Sequence, residues 1–280
     1  MKGAISYSLF GYDRERADNC FDFNSYLRGL AINIRMARLI YPEWDIIVQT
    51  DKATYEAWKE LFGAYPIKLE VHQDLVPLTL AMLWRLRPCF DNNYTHVLCR
   101  DLDSPLTYRE RQAVEYWINR DKAAHAITDS VSHDVPMLGG MIGFRPQYFR
   151  DKVGVSTWGD LIRIRPNYLW NQKGSDQTFL RDIVYPKFAQ QGTDSITQHY
   201  VLGMPNSFLS DYHNKIQDLE LPIPFELKES NDTCGHIGSA GAYNVALEKF
   251  LRKYHDKFVD LHSAEESYKD IFYWRLNNEF

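Results

Sequence analysis

Apolar and polar positions alternate in two registers through the first half of the chain. Ala4–Phe10 is a short apolar run closed by Gly11, which predicts a strand and a turn. Ser25–Ile40 carries apolar residues at helical spacing and stops before Pro42. Asp45–Gln49 predicts a buried strand, Ala53–Phe62 a helix ending at Gly63, and Ile67–His72 another strand. Leu78–Leu86 predicts a short apolar helix stopped by Pro88. His96–Cys99 is a strand running into Asp101, and Tyr108–Ile118 is an amphipathic helix. His125–Thr128 and Met141–Phe144 predict two further strands. Strands alternating with helices predict an α/β fold with a mainly parallel central sheet.

The second half is less regular. Gly159–Trp170 holds an Ile-Arg-Ile-Arg-Pro run among aromatics, and Ser175–Gln190 is helical with an interruption near Pro186. Met204–Glu229 predicts loop with short strands, and Thr233–Ala242 is glycine-rich. Val245–Leu261 and Ala264–Leu276 predict two C-terminal helices whose apolar positions are packing faces. The expected organisation is one domain over residues 1–242, with a helical extension over 243–280 packed on it.

Composition narrows the classes. The 280 residues, 45% of them apolar, suffice for one sizeable core. The formal charge is −5 and no Lys/Arg block occurs, so neither nucleic acid nor an anionic membrane is expected as a partner. Aromatics make up 14% of the chain, which suits sugar-handling surfaces and a heavy core equally well. Cys20, Cys89, Cys99 and Cys234 are too widely spaced for a zinc motif or a disulfide framework, and Cys99 is expected as a core thiol. The opening segment has too short an apolar run for a secretory signal. No run approaches the roughly 20 apolar residues of a membrane span. A cytoplasmic protein with no transmembrane segment is expected.

Open α/β sheets bind ligands at the carboxyl ends of their strands. Asp51, Asp101, Asp103 and Asp129 stand at such ends. In an extended chain Asp101 and Asp103 point to one side while Leu102 faces the core. Carboxylate oxygens suit Mn²⁺ or Mg²⁺, and such a cation commonly keeps positions for substrate phosphates. Asp-x-Asp is common by chance, and a solvated strand end or a helix cap would look the same. The motif also opens haloacid-dehalogenase-like phosphatases. Those require it after the first strand with Thr or Val two places on, where this chain has Pro105 and several preceding strands.

The order of motifs over residues 1–240 resembles a GT-A glycosyltransferase, most of all the family 8 type of glycogenin and the lipopolysaccharide galactosyltransferases. Leu83-Trp84-Arg85-Leu86, the Asp pair, Gly139-Gly140 and Asp176-Gln177 carry the resemblance, with His236 as a fainter element. It implies a Rossmann-like GT-A sheet, a Mn²⁺ or Mg²⁺ ion on Asp101, Asp103 and His236, and a UDP- or GDP-sugar donor. Arg85, Gly139 and Gly140 would lie at the donor, with Arg87 competing for the place of Arg85. Leu9, Phe10 and Asp51 would line the base and ribose, and Asp129 a sugar hydroxyl. Asp176 and Gln177 would stand by the anomeric carbon, implying retention toward a glycan or other hydroxyl acceptor. An inverting enzyme would need a carboxylate base, for which Asp176, Asp134 and Asp211 are candidates. The chain departs from the pattern at Arg100, where an apolar residue is usual, in lacking an Asn before the glycine pair, and at Ser239-Ala240, where Lys-Pro is usual. A sugar-nucleotide pyrophosphorylase and a non-catalytic sugar-binding protein remain alternatives. The single glycine after the first strand disfavours the former.

Overall fold

The computed structural model describes residues 1–13, 23–106, 108–128, 135–165, 168–170, 172–189, 196–200 and 238. Asp129, Asp134, Asp211, His236, the two C-terminal helices and the 243–280 extension lie outside them. So do Met204–Glu229 and, apart from Gly238, Thr233–Ala242.

The chain runs β1 (Gly3–Ser8), α1 (Phe23–Ile40), β2 (Asp45–Asp51), α2 (Lys52–Gly63), β3 (Lys68–His72) and α3 (Leu78–Met82). A 3-10 segment, Leu83–Phe90, leads to β4 (His96–Arg100), then α4 (Tyr108–Asn119), β5 (Ala124–Thr128) and β6 (Met141–Phe144). After α5 (Pro146–Val153) and α6 (Trp158–Arg163) come α7 (Ser175–Phe179), a π turn (Leu180–Val184), α8 (Tyr185–Phe188) and β7 (Ile196–Tyr200). The strands form one sheet of order β3-β2-β1-β4-β6-β5-β7, in which β6 alone runs against the rest. The fold is therefore α/β with a mainly parallel sheet flanked by helices.

Alternation along the strands divides the core. Ile5 and Tyr7 of β1, Ile46 and Val48 of β2 and Leu98 of β4 pack with Leu30, Ile34, Trp44 and Trp117 on the α1–α4 face. Ala4, Ile47, Val97 and Cys99 face the other way, toward Leu83, Leu86, Phe149, Phe179 and Phe188. Cys89 and Cys99 are both buried free thiols, as an apolar setting for Cys99 predicts.

Four elements differ from the pattern-based expectation. The helix expected to stop before Pro88 instead tightens into the 3-10 segment, which contains Pro88 and ends at Phe90. The prolyl nitrogen has no hydrogen to donate, while its carbonyl still accepts from Asp91 N at 3.1 Å. The break near Pro186 is the π turn, with Pro186 in the first turn of α8, where a missing N–H costs nothing. Helix α5 and strand β7 carry no periodicity long enough to have announced them.

Candidate active site

The chain builds outward from β1 to β3 and then crosses back to place β4 on the other side of β1. The connections at the carboxyl ends of β1 and β4 thus leave side by side at a topological switch point, where open sheets form a crevice. Leu9–Asp13 exits one strand and Asp101–Leu106 the other.

Strand β4 ends at Arg100, so Asp101–Ser104 is a turn rather than the extended segment expected. Leu102 nevertheless enters the core, 1% exposed, and anchors the turn. Asn33 of α1, fully buried, fixes it further. Its Nδ2 donates to Leu102 O at 3.1 Å and its Oδ1 accepts from Leu106 N at 3.1 Å. Nothing in the sequence assigned Asn33 a role, though a lone amide in the apolar Leu30–Ile34 stretch was its visible signal.

The two carboxylates of the turn remain close enough to interact. Burial, and then the charge of Asp101, push the Asp103 carboxyl up to about 7, against a hydrogen bond from Tyr26. Asp101 keeps a 40% exposed side chain and pairs with Arg85. The Arg85 guanidinium is buried, donates through Nε to Met82 O at 2.7 Å, and stands 3.8 Å from Asp176. Burial works against its charge, but Asp101 and Asp176 outweigh that and raise its pKa. Arg87 faces elsewhere, its guanidinium stacked 4.3 Å from the Trp158 ring centre. Of the two arginines, Arg85 is the one that meets Asp101.

The glycine pair enters through strand register. Arg100 of β4 pairs with Met141 of antiparallel β6, so Asp101 and Gly140, each one step beyond, face one another. A β-carbon on Gly140 would occupy the space of the Asp101 carboxylate. Gly139 packs against Arg85, and its N–H donates to Gln177 Oε1 at 3.0 Å. Gln177 Nε2 stands 3.4 Å from Asp176 Oδ2. Burial raises the Asp176 pKa, opposed by Arg85 and reinforced by Asp101. The close approach expected of the glycines is therefore made to Asp101, Arg85 and Gln177.

Three expected positions are committed to the scaffold. Asp51 caps α2, accepting from Thr54 N at 2.7 Å through Oδ1 and from Gly11 N at 2.6 Å through Oδ2. It thereby ties the loop after β1 to the start of α2. Leu9 and Phe10 turn their side chains inward, Leu9 into the core and Phe10 edge-on to Trp84 at 5.7 Å. Contact from either to a ligand would have to come from backbone atoms. Arg100, the departure from the family pattern, is buried against Glu110 of α4 at 2.6 Å and donates to Cys99 O and Ile142 O, both at 2.7 Å. Its charge is met inside the scaffold and does not reach the site.

Asp101 and Asp103 offer oxygen ligands of the kind hard divalent cations take, set close enough for Asp101 to raise the Asp103 pKa. They fit such an ion as a two-carboxylate set. Among the described residues no cluster of three or more His, Cys, Asp or Glu side chains forms around them.

No family model and no curated protein matches this chain. Solved structures do resemble it. One is a putative nucleotide-diphospho-sugar transferase from Desulfovibrio desulfuricans, at 13% identity and a TM-score of 0.44 over 98% of this chain and 97% of that one. Another is the apo-form glycosyltransferase GlyE of Streptococcus pneumoniae, at 13% and 0.46 over 92% of this chain and 64% of that one. A third is 4-diphosphocytidyl-2C-methyl-D-erythritol synthase from Anaerococcus prevotii, at 10% and 0.42 over 76% and 95%. Similarity this distant decides neither fold nor function, and both are read from the chain's own residues. Among the described residues no helix is long and apolar enough to cross a membrane.

Proposed function

We propose that this chain is a metal-dependent glycosyltransferase that moves a sugar from a UDP- or GDP-sugar to a hydroxyl of a glycan or glycoconjugate. One observation carries the reading. Arg85, Asp101, Gly139–Gly140 and Asp176–Gln177 come from four separated parts of the chain and meet beyond the carboxyl end of β4. An anionic diphosphate arriving at two carboxylates needs positive charge, and the chain holds Arg85 there, buried and ionised.

In this reading Asp101 and Asp103, with His236, hold Mn²⁺ or Mg²⁺. The cation, when bound, supplies neutralisation of the charge that develops on the leaving diphosphate. Arg85 turns N–H donors toward the same group while Asp101 and Asp176 keep it oriented. The glycine pair leaves room for the donor sugar, and Gln177 presents an amide beside the anomeric carbon. The bond from the anomeric carbon to the diphosphate oxygen breaks, and the acceptor oxygen bonds on the same face. The acceptor's proton passes to the departing phosphate, and attack on the same face gives retention. Asp129 serves a sugar hydroxyl, and backbone groups of Leu9 and Phe10, with the loop that Asp51 braces, border the base. The cytoplasm, where nucleotide sugars are available, is the proposed location.

The test is thermal melting with Mn²⁺ and a panel of nucleoside diphosphates and nucleotide sugars. At least one nucleotide should raise the melting temperature only with Mn²⁺, and Asp101→Ala with Asp103→Ala should remove the rise. No response to any nucleotide would sink the proposal.

A further inference from the structure

In the proposed reaction Asp101 takes the cation and Arg85 the diphosphate. In this structure the two side chains take each other. Asp101 Oδ1 accepts from Arg85 Nη1, and Oδ2 stands over Gly140, in the space a β-carbon there would fill. Of the pair only Asp101 opens to the crevice: its side chain is 40% exposed and that of Arg85 is 4% exposed.

The other holds on Arg85 lie in the interior. Nε donates to Met82 O at 2.7 Å, and Nη2 stands 3.8 Å from Asp176, whose side chain is 3% exposed. These fix the guanidinium in place. Nη1 alone is committed to a group that can swing away into solvent.

Two competitions follow from charge. A divalent cation that draws on Asp101 meets a guanidinium already paired there, and the two positive charges repel. A diphosphate needs N–H donors, and Asp101 already holds the accessible one. Each ligand removes the obstacle to the other. A cation that pulls Asp101 aside leaves Nη1 buried without its acceptor, which is costly until a phosphate oxygen replaces it. A diphosphate that takes Nη1 leaves the Asp101 carboxylate to the cation.

We infer that Arg85 and Asp101 form a mutual block that makes cation and diphosphate bind together and each bind poorly alone. Until both arrive, Asp101 keeps Arg85 oriented; then Asp101 turns to the cation while Met82 O and Asp176 keep the guanidinium where it is. The coupling is reciprocal, so the cation strengthens nucleotide binding by the same factor as the nucleotide strengthens cation binding. The diphosphate half of this device rests on the transferase reading; the competition of Arg85 with a cation for Asp101 does not.

Electron paramagnetic resonance of free Mn²⁺, followed as the full chain is titrated in, reads cation binding with no nucleotide present. Arg85→Met should bind Mn²⁺ at least about tenfold more tightly than the unaltered chain, the scale of one charge-assisted hydrogen bond. An arginine that only held the site in shape would give the opposite result. Should the Asp176 carboxylate left alone prevent folding, Arg85→Met with Asp176→Asn removes both charges and carries the same expectation. Equilibrium dialysis of UDP and GDP reads the other ligand. Without Mn²⁺, Arg85→Met should leave their binding unchanged, because Asp101 already holds Nη1. With saturating Mn²⁺ it should weaken their binding at least about tenfold. Mn²⁺ held no more tightly by the variant, or metal-free nucleotide binding that depends on Arg85, overturns the inference. Tighter Mn²⁺ binding by the variant, with neither nucleotide bound under any condition, keeps the competition for Asp101 and removes the transferase reading. Mn²⁺-dependent nucleotide binding by the unaltered chain, with Mn²⁺ affinity unchanged in the variant, does the reverse.

Discussion

Two buried arginines flank the end of β4 and are treated oppositely. Arg100, the last residue of the strand, is 3% exposed, and its partner Glu110 is 2% exposed. Both ends of that pair are sealed between the sheet and α4. Arg85 is buried to a similar degree, but the side chain of its partner Asp101 is 40% exposed. The first pair can only hold the scaffold together. The second leaves one carboxylate open to the crevice, so a ligand can compete for it. Burial of an arginine alone therefore says little; the exposure of its partner separates a brace from a site.

The sharpest way to break this comparison is to remove the sealed carboxylate. Glu110→Ala leaves Arg100 buried without its main counter-charge and should cost about 3–5 kcal/mol in denaturant unfolding. A smaller loss would mean that water reaches the pair and that it is not sealed. Next in size, Asn33→Ala removes the acceptor for Leu106 N and the donor to Leu102 O. It should cost about 1–3 kcal/mol and should also blunt the Mn²⁺-dependent melting response, because the Asp101–Ser104 turn loses its brace. An unchanged response would show that Leu102 alone holds the turn.

Asp101→Asn touches the open pair. Arg85 keeps Asp176 and Met82 O, and the site of substitution is solvated, so the loss should be about 1 kcal/mol or less. The nucleotide response should nevertheless vanish. A stability loss as large as that of Glu110→Ala would make the two pairs alike. A further expected effect shows only in the pH dependence. Burial and Arg145 push His96, at the start of β4, down to about 4 from an ordinary 6.5, so it is neutral in the folded protein. Its contribution is intact above about pH 6.5, where the unfolded chain is neutral too, and is lost as pH falls toward 4. His96→Phe should flatten that part of a stability profile measured by urea unfolding at stepped pH.

Much of the scaffold was legible in the chain. The strands containing Ile5, Ile46 and Leu98 were visible because both faces of a parallel sheet are covered, which makes its strands continuous apolar runs. Helix α5 and strand β7 were not, since each is short and owes its place to packing and pairing rather than to its own periodicity. The candidate site divides in the same way. Asp101 could be singled out as a carboxylate at a strand end, and Arg85, Gly140 and Gln177 through the resemblance in motif order. Asp51 could be singled out too, but as a helix cap it looks the same in sequence as a ligand-binding carboxylate.

By itself the sequence determined the α/β alternation, the buried strand leading to Asp101 and the oxygen chemistry available there. These follow from local pattern and side-chain type, which need no partner. Only the tertiary structure decided that Arg85 rather than Arg87 meets Asp101, that Gly140 faces Asp101, and that Arg100 is neutralised by Glu110. Each of these depends on strand register and helix packing between residues distant in the chain. A single sequence does not encode such pairings locally, because many alternatives satisfy the same pattern until the sheet order selects one.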